Sequence, residues 1–143
     1  MYFEEEVKYI LERYPKCDGI TLLDETFTLN TKHAVGIANI FKKYGLKWEC
    51  NSRVDTVNDE IIQALKDSNC QEIRLGIESG SQRMVDNMNK GINLEKAKGV
   101  ISIIVSWYQW KVLQKNKELE DKRKELDSLN EQLTENKSKI AQN

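Results

Sequence analysis

Gly19-Ile20-Thr21-Leu22-Leu23, Leu46-Lys47-Trp48-Glu49-Cys50 and Glu72-Ile73-Arg74-Leu75-Gly76-Ile77 are three short apolar runs, and each leads straight into a polar cluster. The clusters are Asp24-Glu25, Asn51-Ser52-Arg53-Val54-Asp55 and Glu78-Ser79-Gly80-Ser81. A helical pattern precedes and follows every run. Strands alternating with helices form parallel βαβ units with right-handed crossovers, so the three clusters share one rim at the C-terminal strand tips. Barrels and open α/β sheets bind their ligands at that rim.

The flanking helices are set by spacing and punctuation. Phe3, Val7, Ile10, Leu11 and Tyr14 recur at helical intervals behind an acidic first turn, and Pro15 stops that helix. Asn30 or Thr31 caps a second helix carrying Val35, Ile37, Ala38, Ile40 and Phe41, which ends at Gly45. Asn58 caps a third, with Ile61, Ile62 and Leu65 on one face. A short helix is expected from about Ser81 to Asn89, stopped by Gly91, and Asn93 caps the next. The strands are expected at about 19–23, 46–51 and 72–78. Three strands make less than a barrel. The expected class is therefore α/β, a partial (β/α) barrel fragment with three parallel strands, followed by a long C-terminal helix.

Composition divides the chain into residues 1–99, the α/β core, and 100–143, a long charged helix. All seven Gly, the single Pro, the three Cys and the only His lie in the first part. In the second part Val112, Leu119, Leu126, Leu133 and Ile140 recur every seven residues. The companion positions, Lys115, Lys122, Leu129 and Asn136, are mostly polar, whereas a coiled coil wants two apolar seams. A long solvated helix and a weak, partner-dependent coiled coil both fit that pattern.

The charge is balanced, 22 basic against 23 acidic residues, so no nucleic-acid footprint is present. Met1-Tyr2-Phe3 leads into Glu4-Glu5-Glu6, the reverse of a basic targeting segment, and a cytoplasmic location is expected. The apolar stretch Val100–Val105 is far shorter than the roughly 20 residues of a spanning helix. Cys17, Cys50 and Cys70 have no zinc or iron–sulfur spacing and read as reduced, apolar filler. His33, beside a helix start, reads as a surface residue, and no metal ligand or catalytic residue is expected.

The rim residues carry the chemistry. Asp24 and Glu25 can accept hydrogen bonds from an ammonium group, and Arg53 can hold a carboxylate in a fork. Glu78 can accept from ribose hydroxyls, and Ser79, Gly80 and Ser81 can offer backbone N–H groups at a helix start. Ordinary turn and capping duty also accounts for these residue types.

The strings Leu23-Asp24-Glu25-Thr26-Phe27-Thr28-Leu29-Asn30, Cys50-Asn51-Ser52-Arg53-Val54-Asp55 and Gly76-Ile77-Glu78-Ser79-Gly80-Ser81-Gln82-Arg83 resemble the radical S-adenosylmethionine (SAM) superfamily, in particular its cobalamin-associated branch. Asn89-Lys90-Gly91-Ile92 continues the likeness, which covers about residues 1–99. The resemblance implies a [4Fe–4S] cluster that reductively cleaves SAM to a 5′-deoxyadenosyl radical. It also implies that Asp24 and Glu25 meet the SAM amino group, with Asn51, Arg53, Glu78 and Ser81 near its carboxylate or ribose. The family's CxxxCxxC loop, which supplies the cluster thiolates, has no counterpart in the sequence. The expectation is thus a fragment of a radical SAM iron–sulfur enzyme, inactive alone, with the SAM-binding rim retained. A second polypeptide completing the barrel is the partner this implies. The rival expectation is a helix-mediated interaction or signalling piece with a relic α/β domain and a coiled-coil partner. The aromatic-then-charged run after residue 100 is similar to the juxtamembrane helix of bacterial sensor proteins.

Overall fold

The computed structural model describes residues 2–141, with side chains through Lys137. Ile140, expected on the apolar stripe, lies outside the residues whose side chains are described. The elements are α1 (Tyr2–Arg13), β1 (Gly19–Leu22), α2 (Thr31–Tyr44), β2 (Lys47–Arg53), α3 (Asp59–Asp67), β3 (Cys70–Gly76), α4 (Gln82–Asn87) and α5 (Leu94–Ala141). One-turn 3-10 helices, Phe27–Leu29 and Val54–Thr56, follow β1 and β2. The strands form one parallel sheet in the order β1-β2-β3. The α/β class with three parallel strands and a long C-terminal helix is as expected from the sequence.

Local chemistry fixes the helix ends. The Asn30, Asn58 and Asn93 side-chain oxygens accept from the N–H of His33, Ile61 and Lys96 at 2.9–3.0 Å, satisfying donors that the first turn leaves open. Gly45 adopts φ +66° past the end of α2, and Leu46 N–H then donates to Phe41 O at 3.1 Å. A residue without Cβ takes that left-handed conformation at no steric cost.

Alternation along β2 sends Trp48, Cys50 and Ser52 inward. Trp48 is fully buried, stacks on Phe41 (4.9 Å between ring centres) and meets the edge of Phe27 (5.4 Å). Its indole N–H donates to Ser68 O at 2.8 Å, so the ring buries no orphan donor. Phe3 of α1 meets Phe41 edge-on, and Lys43 and Tyr44 of α2 both donate to the Glu4 carboxylate. Cys50 and Cys70 are buried, in neighbouring strands, and neither is in a disulfide. The Cys70 thiol beside it, and then burial, push the Cys50 thiol up, so it stays protonated.

A second apolar cluster holds the C-terminal end of the α/β region. Val54, Val85, Ile92 and Ala97 are buried together, with Leu75, Ile77, Leu94, Val100 and Ile101 against them. The first turns of α5 therefore pack into this cluster through Ala97, Val100 and Ile101, beside Val54, Val85 and Ile92. Gly99 lies inside α5, which runs unbroken from Leu94 across the compositional boundary at 99/100. Packing of Leu94, Ala97 and Ile101 on one face outweighs the roughly 1 kcal/mol helix penalty of one glycine.

The chain divides into two compact units, Met1–Ile104 and Val105–Asn143. In the second, residues 105–141 are the remainder of α5, on whose surface Lys111 sits over the Trp107 and Tyr108 rings. No helix among the described residues is long and apolar enough to cross a membrane.

Candidate functional site

Parallel pairing brings the polar clusters to one edge: β2 and β3 end together at Arg53 and Gly76, and β1 ends at Leu22, in register with Cys50. Asn51, Ser52 and Arg53 of β2 lie in register with Arg74, Leu75 and Gly76 of β3. β2 thus ends at Arg53, two residues beyond the strand expected at about 46–51. A cavity of about 540 Å³ opens at these tips. Glu25, Asn51, Arg53 and Glu78 line it, together with Thr26, Ser52, Arg74, Lys90 and Ile92. Four of the six rim residues singled out from the sequence are thereby brought together. The other two stand outside the lining. Asp24 is exposed and its carboxylate accepts from Thr26 N–H at 2.9 Å, closing the turn that carries Glu25. Ser81 is exposed at the start of α4, where its carbonyl accepts from Met84 and Val85.

Arg53 is already engaged. Its Nε and one terminal nitrogen donate to the two Asp55 oxygens at 3.0 and 2.8 Å, and that same terminal nitrogen donates to Lys90 O at 2.6 Å. The pair stabilises both charges: Asp55 pushes the Arg53 guanidinium up, and Arg53 holds the Asp55 carboxyl below its usual range. The other terminal nitrogen has no protein partner among the described residues. A ligand carboxylate would meet that single donor rather than a free fork.

Lys90 joins the rim from the turn after α4. Asn89 and Gly91 on either side take positive φ (55° and 66°), and Arg53 grips the Lys90 carbonyl between them. The Lys90 ammonium lies 3.3 Å from Glu78 Oε1. Glu78 itself has φ +72°, a left-handed conformation that is uncommon for a side chain of this size. Underneath, the hydroxyls of Thr28, Ser52 and Thr56 hydrogen-bond to one another, and Thr56 also donates to Arg53 O at 3.0 Å. This buried hydroxyl group ties both 3-10 turns to the floor of the rim.

Lys90, Ser52 and Arg74 were not singled out from the sequence. Alternation on β2 was the available signal for Ser52. Lys90 lies in the segment Asn89-Lys90-Gly91-Ile92, which the Arg53–Lys90 hydrogen bond holds at the cavity. Arg74 pairs with Glu49 and Glu72 at 2.6 Å, and its rim position follows from strand register.

No group of three or more His, Cys, Asp or Glu side chains among the described residues is placed to hold a metal ion. The cavity instead offers separated carboxylates and cations, suited to a ligand bearing both charges and hydroxyls.

A sequence profile of the Radical SAM superfamily matches residues 2–106. An uncharacterized methyltransferase of Pyrococcus horikoshii is 40% identical over 80 residues, 54% of this chain and 17% of that protein. A protein provisionally named a methylthiotransferase in Methanocaldococcus jannaschii is 46% identical over 44 residues, 31% of this chain and 10% of that protein. The matches thus span less than a fifth of either relative.

Proposed function

The chain belongs to the radical SAM superfamily, and on that premise we propose that its strand-tip cavity holds the amino-acid and ribose portions of S-adenosylmethionine. The observation that carries this is the convergence of Glu25, Asn51, Arg53 and Glu78 on one cavity. Its volume of about 540 Å³ suits a nucleoside-sized ligand. Glu25, on the turn closed by Asp24, meets the ammonium group. The remaining Arg53 nitrogen and Lys90 meet the carboxylate, and Glu78 and Asn51 meet the ribose hydroxyls. Ser81 acts from the start of α4, outside the lining.

SAM supplies a 5′-deoxyadenosyl radical when a reduced [4Fe–4S] cluster cleaves it. The thiols of this chain do not fit that cluster. Cys50 and Cys70 are buried in adjacent strands, and the Cys17 thiol donates to Gly19 O at 3.3 Å. In this proposal the cluster thiolates come from polypeptide outside these 143 residues, and the residues alone carry out no radical chemistry. The names of the two relatives direct the complete protein toward methyl or methylthio transfer.

Calorimetric titration of the chain with SAM tests the proposal. Without a cluster iron to chelate the amino acid, the expected Kd is about 0.1–1 mM. Glu25→Gln and Glu78→Gln each weaken it several-fold, about 1 kcal/mol per lost charged hydrogen bond. Absence of saturable binding, or binding indifferent to both changes, refutes it.

A further inference from the structure

We propose that α5 pairs with α5 of a second copy of this chain, as a parallel, in-register two-stranded coiled coil over residues 105–137. The stripe that would form the seam is uncovered. Val105, Val112, Leu119, Leu126 and Leu133 repeat every seven residues, and each is between 46% and 58% exposed. Such a row of half-exposed aliphatic side chains on one helix face is the usual mark of an association surface. The superfamily match ends at residue 106, so almost the whole stripe lies beyond the family's shared core.

The structure extends the seam upstream of where the sequence repeat was first legible. Val105, Tyr108 and Val112 border one apolar surface groove. With Val105 and Val112 at position a of the heptad, Tyr108 falls at d. Leu129 falls at d three heptads later and is 55% exposed. Position a is thus apolar throughout, whereas position d is apolar at Tyr108 and Leu129 and polar at Lys115, Lys122 and Asn136.

Charge complementarity selects the second copy and its direction. In this frame position g holds Lys111, Glu118, Glu125 and Gln132, and position e holds Asn116, Arg123, Asn130 and Lys137. A parallel dimer sets each g beside the e of the next heptad in its partner. The facing pairs become Lys111–Asn116, Glu118–Arg123, Glu125–Asn130 and Gln132–Lys137, with one attraction and no like charges. An antiparallel pair that aligns Val112 with Leu129 sets Glu118 beside Glu125 instead. The two d lysines weaken the dimer and are partly compensated. The Lys115 ammonium is drawn off the seam to Glu118 at 3.1 Å, and Lys122 has Glu118 and Glu125 at i−4 and i+3.

Sedimentation equilibrium of the full chain tests the proposal. Wild type dimerises with a Kd on the order of 10 µM. Leu126→Lys weakens it at least ~10-fold, and Lys122→Leu, which makes a polar layer apolar, tightens it about 10-fold. Glu118→Arg and Arg123→Glu chains each self-associate less well than wild type, because like charges then face each other. Mixed together they form a heterodimer at least as tight as wild type, because both facing pairs are again attractive. Oxidation of a Leu126→Cys chain cross-links the pair, whereas a Glu131→Cys chain, on the outer face, does not. A wild-type chain that stays monomeric at about 100 µM, a dimer indifferent to Leu126→Lys, or cross-linking through residue 131 but not 126 overturns the proposal.

Discussion

Replacing Asp55 with Asn removes one charge from the pair that ties the end of β2 to the turn at Lys90. Arg53 makes two hydrogen bonds to Asp55, at 3.0 and 2.8 Å, and the two side chains retain 35% and 30% exposure. Exposed ion pairs contribute about 0–1 kcal/mol, and breaking buried ones costs about 3–5 kcal/mol. This pair is nearer the exposed case, and its two-point geometry places it at the upper edge, at about 1–1.5 kcal/mol. The sign of the pH dependence follows from the Asp55 carboxyl, whose folded pKa is lowered by Arg53. Its contribution is complete above the unfolded value of about 3.9 and disappears as pH falls through the folded pKa. Urea unfolding followed by tryptophan fluorescence reads this directly in wild type and Asp55→Asn. The stability gap should be full at neutral pH and close in acid, where wild-type Asp55 carries the same charge as Asn. A gap below about 0.3 kcal/mol at pH 7, or one of unchanged size at acid pH, refutes the clamp as a source of stability.

Two further outcomes follow from burial. Ile92→Ala should cost about 2–4 kcal/mol because Ile92 is 2% exposed inside the cluster under the rim. Ile103→Ser should cost less than about 0.5 kcal/mol because Ile103 is 41% exposed, and comparable losses in the two variants would contradict this packing. Of the three thiols, only Cys17 should react with a thiol reagent in the native protein, with Cys50 and Cys70 reacting on unfolding. Rapid native labelling of Cys50 would show that β2 and β3 open readily.

Much of the fold was legible because it is encoded locally. Asn30, Asn58 and Asn93 mark helix starts through their own side chains, and Gly45 marks a helix end by the φ it permits. The alternation of Trp48, Cys50 and Ser52 reads as an inward strand face wherever the sheet lies. Strand lengths were less legible: β2 continues through Arg53 and β3 begins at Cys70, because parallel ladders run on while each residue finds a partner. Facing residues in a ladder are distant in sequence, so apolar runs bound a strand only roughly.

Residue order alone carries the alternation of strands and helices, the three polar tips, the superfamily resemblance and the seven-residue repeat of the last helix. Each rests on residues that are neighbours in the chain or repeat at a fixed period. Tertiary structure alone decided that Glu25, Asn51, Arg53 and Glu78 share a cavity while Asp24 and Ser81 stay outside its lining. It also decided that Arg53 is committed to Asp55, that Lys90 reaches the rim, and that Ile104 is buried while Ile103 beside it is exposed. A side chain's free hydrogen-bonding capacity is what remains after its neighbours in space have taken theirs, and for Arg53 one of those neighbours lies 37 residues away in the chain.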